Sequence, residues 1–239
     1  MVNGTREGME LVTELTTHST GGAERSGSVV VGVLALQGDF AEHAAALGRV
    51  GADVLEVRTV EELKRVDGLI IPGGESTTIA RLMIAYGLRE PIIERARAGL
   101  PIWGTCAGAI LLAEEIVTLD RPGLNLVPMT VERNAYGRQI DSFEADLSSR
   151  ELGGGPLHAI FIRAPRIRSV AEGVEVLLRL GAEQEHEPVA VQCDSLMATT
   201  FHPELTDDTR LHERFVGMCE AYAAADASRS VPAAAGGSG

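Results

Sequence analysis

Residues 101–113 read Pro101-Ile102-Trp103-Gly104-Thr105-Cys106-Ala107-Gly108-Ala109-Ile110-Leu111-Leu112-Ala113. The first three residues form a short buried strand, and the run from Ala109 to Ala113 is the apolar opening of a helix. Between them lies Gly-x-Cys-x-Gly, the thiol counterpart of the Gly-x-Ser-x-Gly nucleophile turn. In that turn, flanking glycines permit a cramped strand-to-helix backbone that presents the central side chain. The N-terminus of a helix carries partial positive charge, which favours a thiolate, the attacking form, over a thiol. Cys106 is therefore a candidate nucleophile, and the segment is one strand-turn-helix unit of an α/β protein.

The same alternation extends in both directions. Ser28 to Leu36 is almost wholly apolar, as a parallel strand buried on both faces requires. A helix follows from Phe40 to Val50, capped by Asp39. Strands are expected at Asp53–Arg58 and Gly68–Ile71, with a short helical piece from Val60 to Arg65 between them. Helices are expected at Ser76–Tyr86 and Glu90–Ala98. The region from Leu124 to Gln192 is richer in strands, including Ala159–Ile162, Val174–Leu180 and Val189–Gln192. Thr206 to Tyr222 closes the domain as a helix with Leu211, Phe215, Met218, Cys219 and Tyr222 on one stripe. This pattern predicts a three-layer α/β fold of flavodoxin-like type, a mostly parallel central sheet flanked by helices. Residues 1–27 and 223–239, rich in small and polar residues, are expected to be flexible extensions of a domain at 28–222.

Bulk composition narrows the function classes. The chain has 239 residues, 45% of them hydrophobic, enough for one domain with a sizeable core. Its net charge of −13 argues against nucleic-acid or anionic-membrane binding, both of which need a basic patch. Three scattered cysteines make neither a disulfide framework nor a paired metal motif, and no signal peptide or membrane span is evident, so a reducing cytoplasm is expected. No phosphate loop, dinucleotide fingerprint or other cofactor motif is present.

Two further motifs complete the chemistry. Phe201-His202-Pro203-Glu204 follows the apolar run Leu196–Thr200. In an extended segment, residues two apart face one side, and Pro203 pushes His202 away from helical geometry. An imidazole to exchange protons with Cys106 and a carboxylate to orient it are the remaining parts of a hydrolytic triad. Pro72-Gly73-Gly74-Glu75-Ser76 sits at the end of another apolar strand. Its glycines allow main-chain N–H groups to point outward, so the N–H groups of Gly74 and Ala107 form a candidate oxyanion hole. The plainer reading is a tight turn with Ser76 as helix N-cap. Among the other candidates, Cys219 belongs to the core and Cys193 has no base nearby. His18, His43, His158, His186 and His212 lack a partnered motif; for His43 an interface near Gln37 is one reading and a surface helix position the plainer one.

Together these motifs resemble the class I (triad) glutamine amidotransferases and, within them, the glutaminase subunits of pyridoxal 5'-phosphate synthase. The likeness runs from about Val30 to Tyr222. It rests on Leu36-Gln37-Gly38, Glu42-His43, Pro72 to Thr78, the cysteine turn, Val131-Glu132-Arg133-Asn134, Gly137-Arg138-Gln139, Asp141-Ser142-Phe143-Glu144, Phe161 to Pro165 and Phe201 to Thr206. The resemblance implies a Cys106-His202-Glu204 triad that hydrolyses L-glutamine through a thioester, with Gly74, Glu75, Ser76, Arg133, Ile162 and Arg163 binding the substrate. An arginine suits the α-carboxylate and Glu75 the α-ammonium. It implies no cofactor and no metal. The ammonia released needs a consumer, so a separate synthase subunit is the expected partner. A stand-alone γ-glutamyl hydrolase, an amidotransferase subunit of histidine biosynthesis and a non-catalytic member of the fold remain alternatives at this point.

Overall fold

The computed structural model describes residues 28–117, 123–133, 142–148, 152–181 and 187–230. The expected extension at 1–27, the end of the tail at 231–239, His18, His186, and the motif residues Asn134, Gly137-Arg138-Gln139 and Asp141 lie outside the described residues.

In chain order the elements are β1 (Val30–Leu34), α1 (Phe40–Arg49), β2 (Asp53–Val57), α2 (Val60–Leu63), β3 (Gly68–Ile71), α3 (Ser76–Ala85), α4 (Arg89–Arg97), β4 (Ile102–Thr105) and α5 (Ala107–Leu112). There follow β5 (Ala113–Val117), β6 (Val127–Glu132), β7 (Ser142–Leu147), β8 (Leu157–Ile162), β9 (Arg166–Val170), β10 (Glu175–Leu180), β11 (Glu187–Cys193), β12 (Leu196–Thr199) and α6 (Arg210–Ser230). The main sheet has the order β10-β11-β12-β4-β3-β1-β2. Its β12-β4-β3-β1-β2 portion is parallel throughout, and β11 and β10 add an antiparallel edge.

The two-residue period of the strands divides their side chains between two cores. Val31, Val33, Ile70, Trp103 and Met197 pack with Leu47 of α1 and Leu211, Phe215 and Cys219 of α6. Leu69, Ile71, Ile102 and Ala198 pack on the opposite face with Ile79 and Met83 of α3, Ile92 of α4 and Leu111 of α5. Helices thus cover both faces of a mostly parallel sheet, which is the three-layer architecture that the alternation predicts. Among the described residues, no helix is long and apolar enough to cross a membrane.

Three local expectations are corrected. The apolar run after Cys106 does not stay helical: Ala113 adopts φ −60°, ψ 142° and enters β5, which pairs with β6. A short, fully buried apolar run carries no period by which helix and strand can be told apart. The last helix begins at Arg210 rather than Thr206, because Pro203–Leu205 forms a separate 3-10 turn. It also continues past Tyr222 to Ser230. The alanines at 223, 224, 225 and 227, which suggested a fraying tail, are the strongest helix formers available.

Candidate active site

Four parallel strands end side by side, and the segments that leave them supply the site. Cys106 follows β4 with φ 46°, ψ −99°, a left-handed backbone that is costly for a residue with a side chain. It is held there by its own N–H, which donates to Thr199 O of β12 at 2.8 Å, and by the burial of α5. The glycines of the turn have separate tasks. A methyl group at Gly104 would collide with the Gly108 carbonyl group, and one at Gly108 with Ile71 O of β3. Both positions must be bare for α5 to leave the strand so closely.

His202 is fixed by its N–H, which donates to Ile160 O of β8 at 2.9 Å. Its Nδ1 lies 2.7 Å from Glu204 Oε1. The two side chains meet, though not as residues of one extended strand: Pro203 and Glu204 enter the 3-10 turn, which folds the carboxylate back beneath the imidazole. Glu204 is buried, and burial raises its pKa against the opposing hydrogen bond from His202. Burial alone would lower the pKa of His202. Hydrogen bonds with Asp39, Cys106 and Glu204 outweigh it and hold the imidazole well above its usual range, as a cation between acidic partners.

The loops after β1 and β3 interlock beside this pair. Asp39 N–H donates to Gly73 O at 3.2 Å, and Glu75 N–H donates to the Gln37 side-chain oxygen at 2.8 Å. Asp39 stands at the N-cap position of α1, but its carboxylate makes no cap bond. It turns instead to His202, with Oδ2 3.4 Å from Nδ1, and that contact lowers its own pKa. Ser76 is not the cap of α3. Glu75 is: its two oxygens accept from Thr77 N–H at 3.1 Å and Thr78 N–H at 2.7 Å. A carboxylate at this position satisfies two orphan amide donors at once and complements the helix dipole. Glu75 Oε1 also receives Arg133 Nη2 at 3.2 Å, and Arg133 Nη1 reaches Thr77 Oγ1 at 3.4 Å. Ser76 is buried, and its hydroxyl has no partner among the described residues.

These groups enclose a cleft of about 300 Å³ lined by Gly74, Glu75, Ser76, Cys106, Ala107, Arg133, Ile162, Arg163 and His202, with Gln37, Asp39 and Ile110. Every candidate named from sequence is therefore on its wall except Glu204, which stands behind His202. The Cys106 thiol points to Ile162 O at 3.8 Å, and Arg163 leaves β8 with φ 42°. Asp39, His202 and Glu204 also bring three potential metal-ligating atoms within 4.8 Å, but both carboxylates converge on the same Nδ1.

The match to known proteins is specific. The family model described as the SNO glutamine amidotransferase family matches residues 33–221. The chain belongs to this family. It is 54% identical over 196 residues to a protein of Mycobacteroides abscessus named pyridoxal 5'-phosphate synthase subunit PdxT, covering 81% of this chain and 99% of that protein. It is 52% identical over 193 residues to a protein of the same name from Herpetosiphon aurantiacus, covering 80% of this chain and all of that one (100%). A solved glutamine amidotransferase structure shares 50% identity and superimposes with a TM-score of 0.74, covering 80% of this chain and 98% of that chain. The structure of PurLQS from Thermotoga maritima, 16% identical with a TM-score of 0.55, covers 84% of this chain and 99% of that one and shares the fold.

Sequence reasoning missed part of this amidotransferase site. His43 is not on the surface but fully buried, with Nε2 3.0 Å from Thr105 Oγ1 and 3.3 Å from Glu204 Oε2. His212 of α6 is equally buried, its Nε2 3.2 Å from His43 Nδ1. The signal was present in the spacing: His43, Ala46 and Leu47 share the inward face of α1, and His212 lies three residues before Phe215 on the buried face of α6. His158, read as unpartnered, lies 3.0 Å from both Asp146 and Glu144 on the exposed β7-β8 ribbon. Cys219 does belong to the core, and burial pushes its thiol pKa up, away from reactivity.

Proposed function

We propose that this chain is the glutaminase subunit of a pyridoxal 5'-phosphate synthase, hydrolysing L-glutamine to L-glutamate and delivering the ammonia to a separate synthase subunit. The observation that carries the chemistry is the arrangement around His202. Its Nδ1 is engaged by Glu204 at 2.7 Å, and it interacts with Cys106 in a cleft that Gly74, Ala107 and Arg133 also line.

Cys106 Sγ attacks the side-chain amide carbon of glutamine, and the carbonyl oxygen takes the electron pair. The N–H groups of Gly74 and Ala107 receive that oxyanion. His202 gives its proton to the amide nitrogen, the C–N bond breaks, and ammonia leaves a γ-glutamyl thioester on Cys106. His202 then takes a proton from water, hydroxide adds to the thioester carbon, and glutamate departs as the thiolate is restored. Glu204 orients the imidazole and balances its charge. In this reading Arg133 pairs with the α-carboxylate of glutamine, Ser76 lends it a hydroxyl, and Ile162 and Arg163 close the far wall. Glu75 contributes chiefly by capping α3 and aiming Arg133, because its oxygens already accept from Thr77, Thr78 and Arg133. The amidotransferase domain begins at about residue 28 and includes the whole of α6, and the protein works in the cytoplasm, where a catalytic thiol stays reduced.

The partner follows from the chemistry of the product. Ammonia in bulk water at neutral pH is mostly ammonium, which is not a nucleophile. It must therefore reach its consumer without passing through bulk water, and relatives of more than 50% identity carry the name of a synthase subunit. The deciding experiment measures glutamate release by the chain with and without the synthase subunit, beside Cys106→Ala. Loss of turnover in the variant and pyridoxal phosphate formation from glutamine by the pair are expected. Turnover that survives Cys106→Ala would overturn the mechanism, and full turnover indifferent to a synthase would favour a stand-alone γ-glutamyl hydrolase.

A further inference from the structure

The triad acid has a second side that the mechanism above does not use. Glu204 Oε1 is occupied by His202, but Oε2 is buried and accepts no hydrogen bond among the described residues. An ionised oxygen in that state is expensive. A side-chain donor within reach is the His43 ring, whose Nε2 lies 3.3 Å from Oε2 and 3.0 Å from Thr105 Oγ1. The other nitrogen of the same ring meets His212 Nε2 at 3.2 Å. His43 is sealed between α1, β4 and α6, against the edge of Trp103.

The network admits one economical assignment of tautomers. If His212 carries its proton on Nε2, it donates to His43 Nδ1, and His43 then carries its proton on Nε2, between Thr105 Oγ1 and Glu204 Oε2. The only loose end is an unpaired lone pair on His212 Nδ1, the atom that lacks a partner. The opposite assignment leaves a buried N–H on His212 Nδ1 with no acceptor and turns a ring lone pair toward the Glu204 carboxylate. Double protonation is disfavoured: burial, then the neighbouring His212 and His202, hold the His43 pKa well below its ordinary value. Burial and the Arg49 charge do the same to His212.

We propose that His43 is a positioning residue of the glutaminase reaction, lending Nε2–H to the free oxygen of Glu204 and, with His212 behind it, keeping the triad carboxylate ionised and aimed at His202. The proposal rests on the glutaminase reading. The charged and titratable groups around this carboxylate are Asp39 and His43 from α1 and its cap, with Arg49 at the far end of that helix. His202 faces it from its own segment, with Cys106 beyond that imidazole in the turn after β4, and His212 of α6 stands behind His43. Of these, only His202 and His43 can donate to Glu204 directly. Without the His43 donor the carboxylate holds its charge less firmly, the His202 imidazolium loses support, and His202 gives up its proton at lower pH.

The test uses the full chain with the synthase subunit and three variants. His43→Leu removes the donor. His43→Asn places an amide at the reach of Nδ1, too short for Glu204, whereas His43→Gln restores an N–H at the reach of Nε2. A charge-assisted hydrogen bond of this kind sets the scale: the Leu and Asn variants should lose about tenfold in kcat, and their upper pH limb should move down by about one unit. The KM for glutamine should change less than about twofold, because ground-state binding is untouched. Gln should restore both kcat and the limb. Should the Leu variant fail to fold, the Gln and Asn pair still decides, with thermal melts run alongside. Equal losses in Gln and Asn that track the melting temperature, or a pH limb unmoved in Asn and Leu, would overturn the proposal while leaving the triad intact. Wild-type protein without glutaminase activity, or activity persisting in Cys106→Ala, would instead overturn the underlying reading.

Discussion

Gly73→Ala is expected to cripple the base without altering any group that reacts. A β-carbon at Gly73 would stand 2.5 Å from His202 Cε1, 2.8 Å from Asp39 Oδ2 and 3.0 Å from His202 Nδ1. Ordinary contact needs about 3.5–4.0 Å, so the imidazole must retreat by about 1 Å or the Gly73-Gly74 loop must lift by as much. Neither Glu204, at 2.7 Å from Nδ1, nor the turn that carries Cys106 can follow, because His202 N–H is tied to Ile160 and Cys106 N–H to Thr199. A misplacement of this size costs about 100-fold in rate, or about 2.7 kcal/mol of transition-state stabilisation. Backbone strain is not the cause, since Gly73 is not among the residues with positive φ, unlike Gly74 at 147°. The overpacking itself should destabilise the fold by about 1–3 kcal/mol. Steady-state glutaminase kinetics with the synthase subunit present, paired with a thermal melt, measure both effects. A Gly73→Ala protein with kcat/KM within about threefold of wild type would refute the placement of the base against this loop.

Two further outcomes follow from charges in and behind the cleft. Arg133→Ala should raise the KM for glutamine by about 10–100-fold with a smaller effect on kcat, as expected for loss of one charge-assisted contact to a carboxylate; an unchanged KM in initial-rate kinetics would remove Arg133 from the binding role. His212 has its pKa lowered to about 4, by burial and then by Arg49, against an ordinary value of 6.5. The unfolded chain therefore binds this proton more readily than the folded one, and stability falls as pH drops from about 6.5 toward 4, by about 3 kcal/mol for this group. Urea melts at pH 7.5 and 4.5 should show that loss, and His212→Gln should shrink it; an equal loss in the variant would place the acid sensitivity elsewhere.

The parts of the site that were legible in sequence are those in which backbone geometry leaves a residue signature. A cysteine between glycines marks a turn too tight for other side chains, and Gly104 and Gly108 prove to be bare for that reason. The His-Pro-Glu spacing disclosed the pairing of His202 with Glu204 but not its means, since a 3-10 turn and a strand can both bring residues two apart together. Glu75 and Ser76 show a different limit. Both are acceptable caps by residue type, and the sequence carries no sign that Glu75 accepts from Thr77 and Thr78 and also receives Arg133 from a distant part of the chain. His43 and His212 were illegible as a pair for the same reason. Each reads locally as a polar residue on an amphipathic helix, and only the docking of α1 and α6 on one face of the sheet makes them neighbours.

Strand β12 has a consequence for the order in which this protein acquires its chemistry. It inserts beside β4 late in the chain, and its Thr199 carbonyl is the acceptor that holds the Cys106 amide. The base and its carboxylate follow only after β12. During synthesis, which proceeds from the N-terminus, β1 to β4 and the cysteine are made well before β12. Its strained turn then has the packing of α5 but not yet the Thr199 acceptor, and the triad imidazole that would exchange its proton is not yet made. The thiol gains its backbone acceptor, its base and its carboxylate only from the last part of the chain, so the nucleophile is armed late in the assembly of the fold.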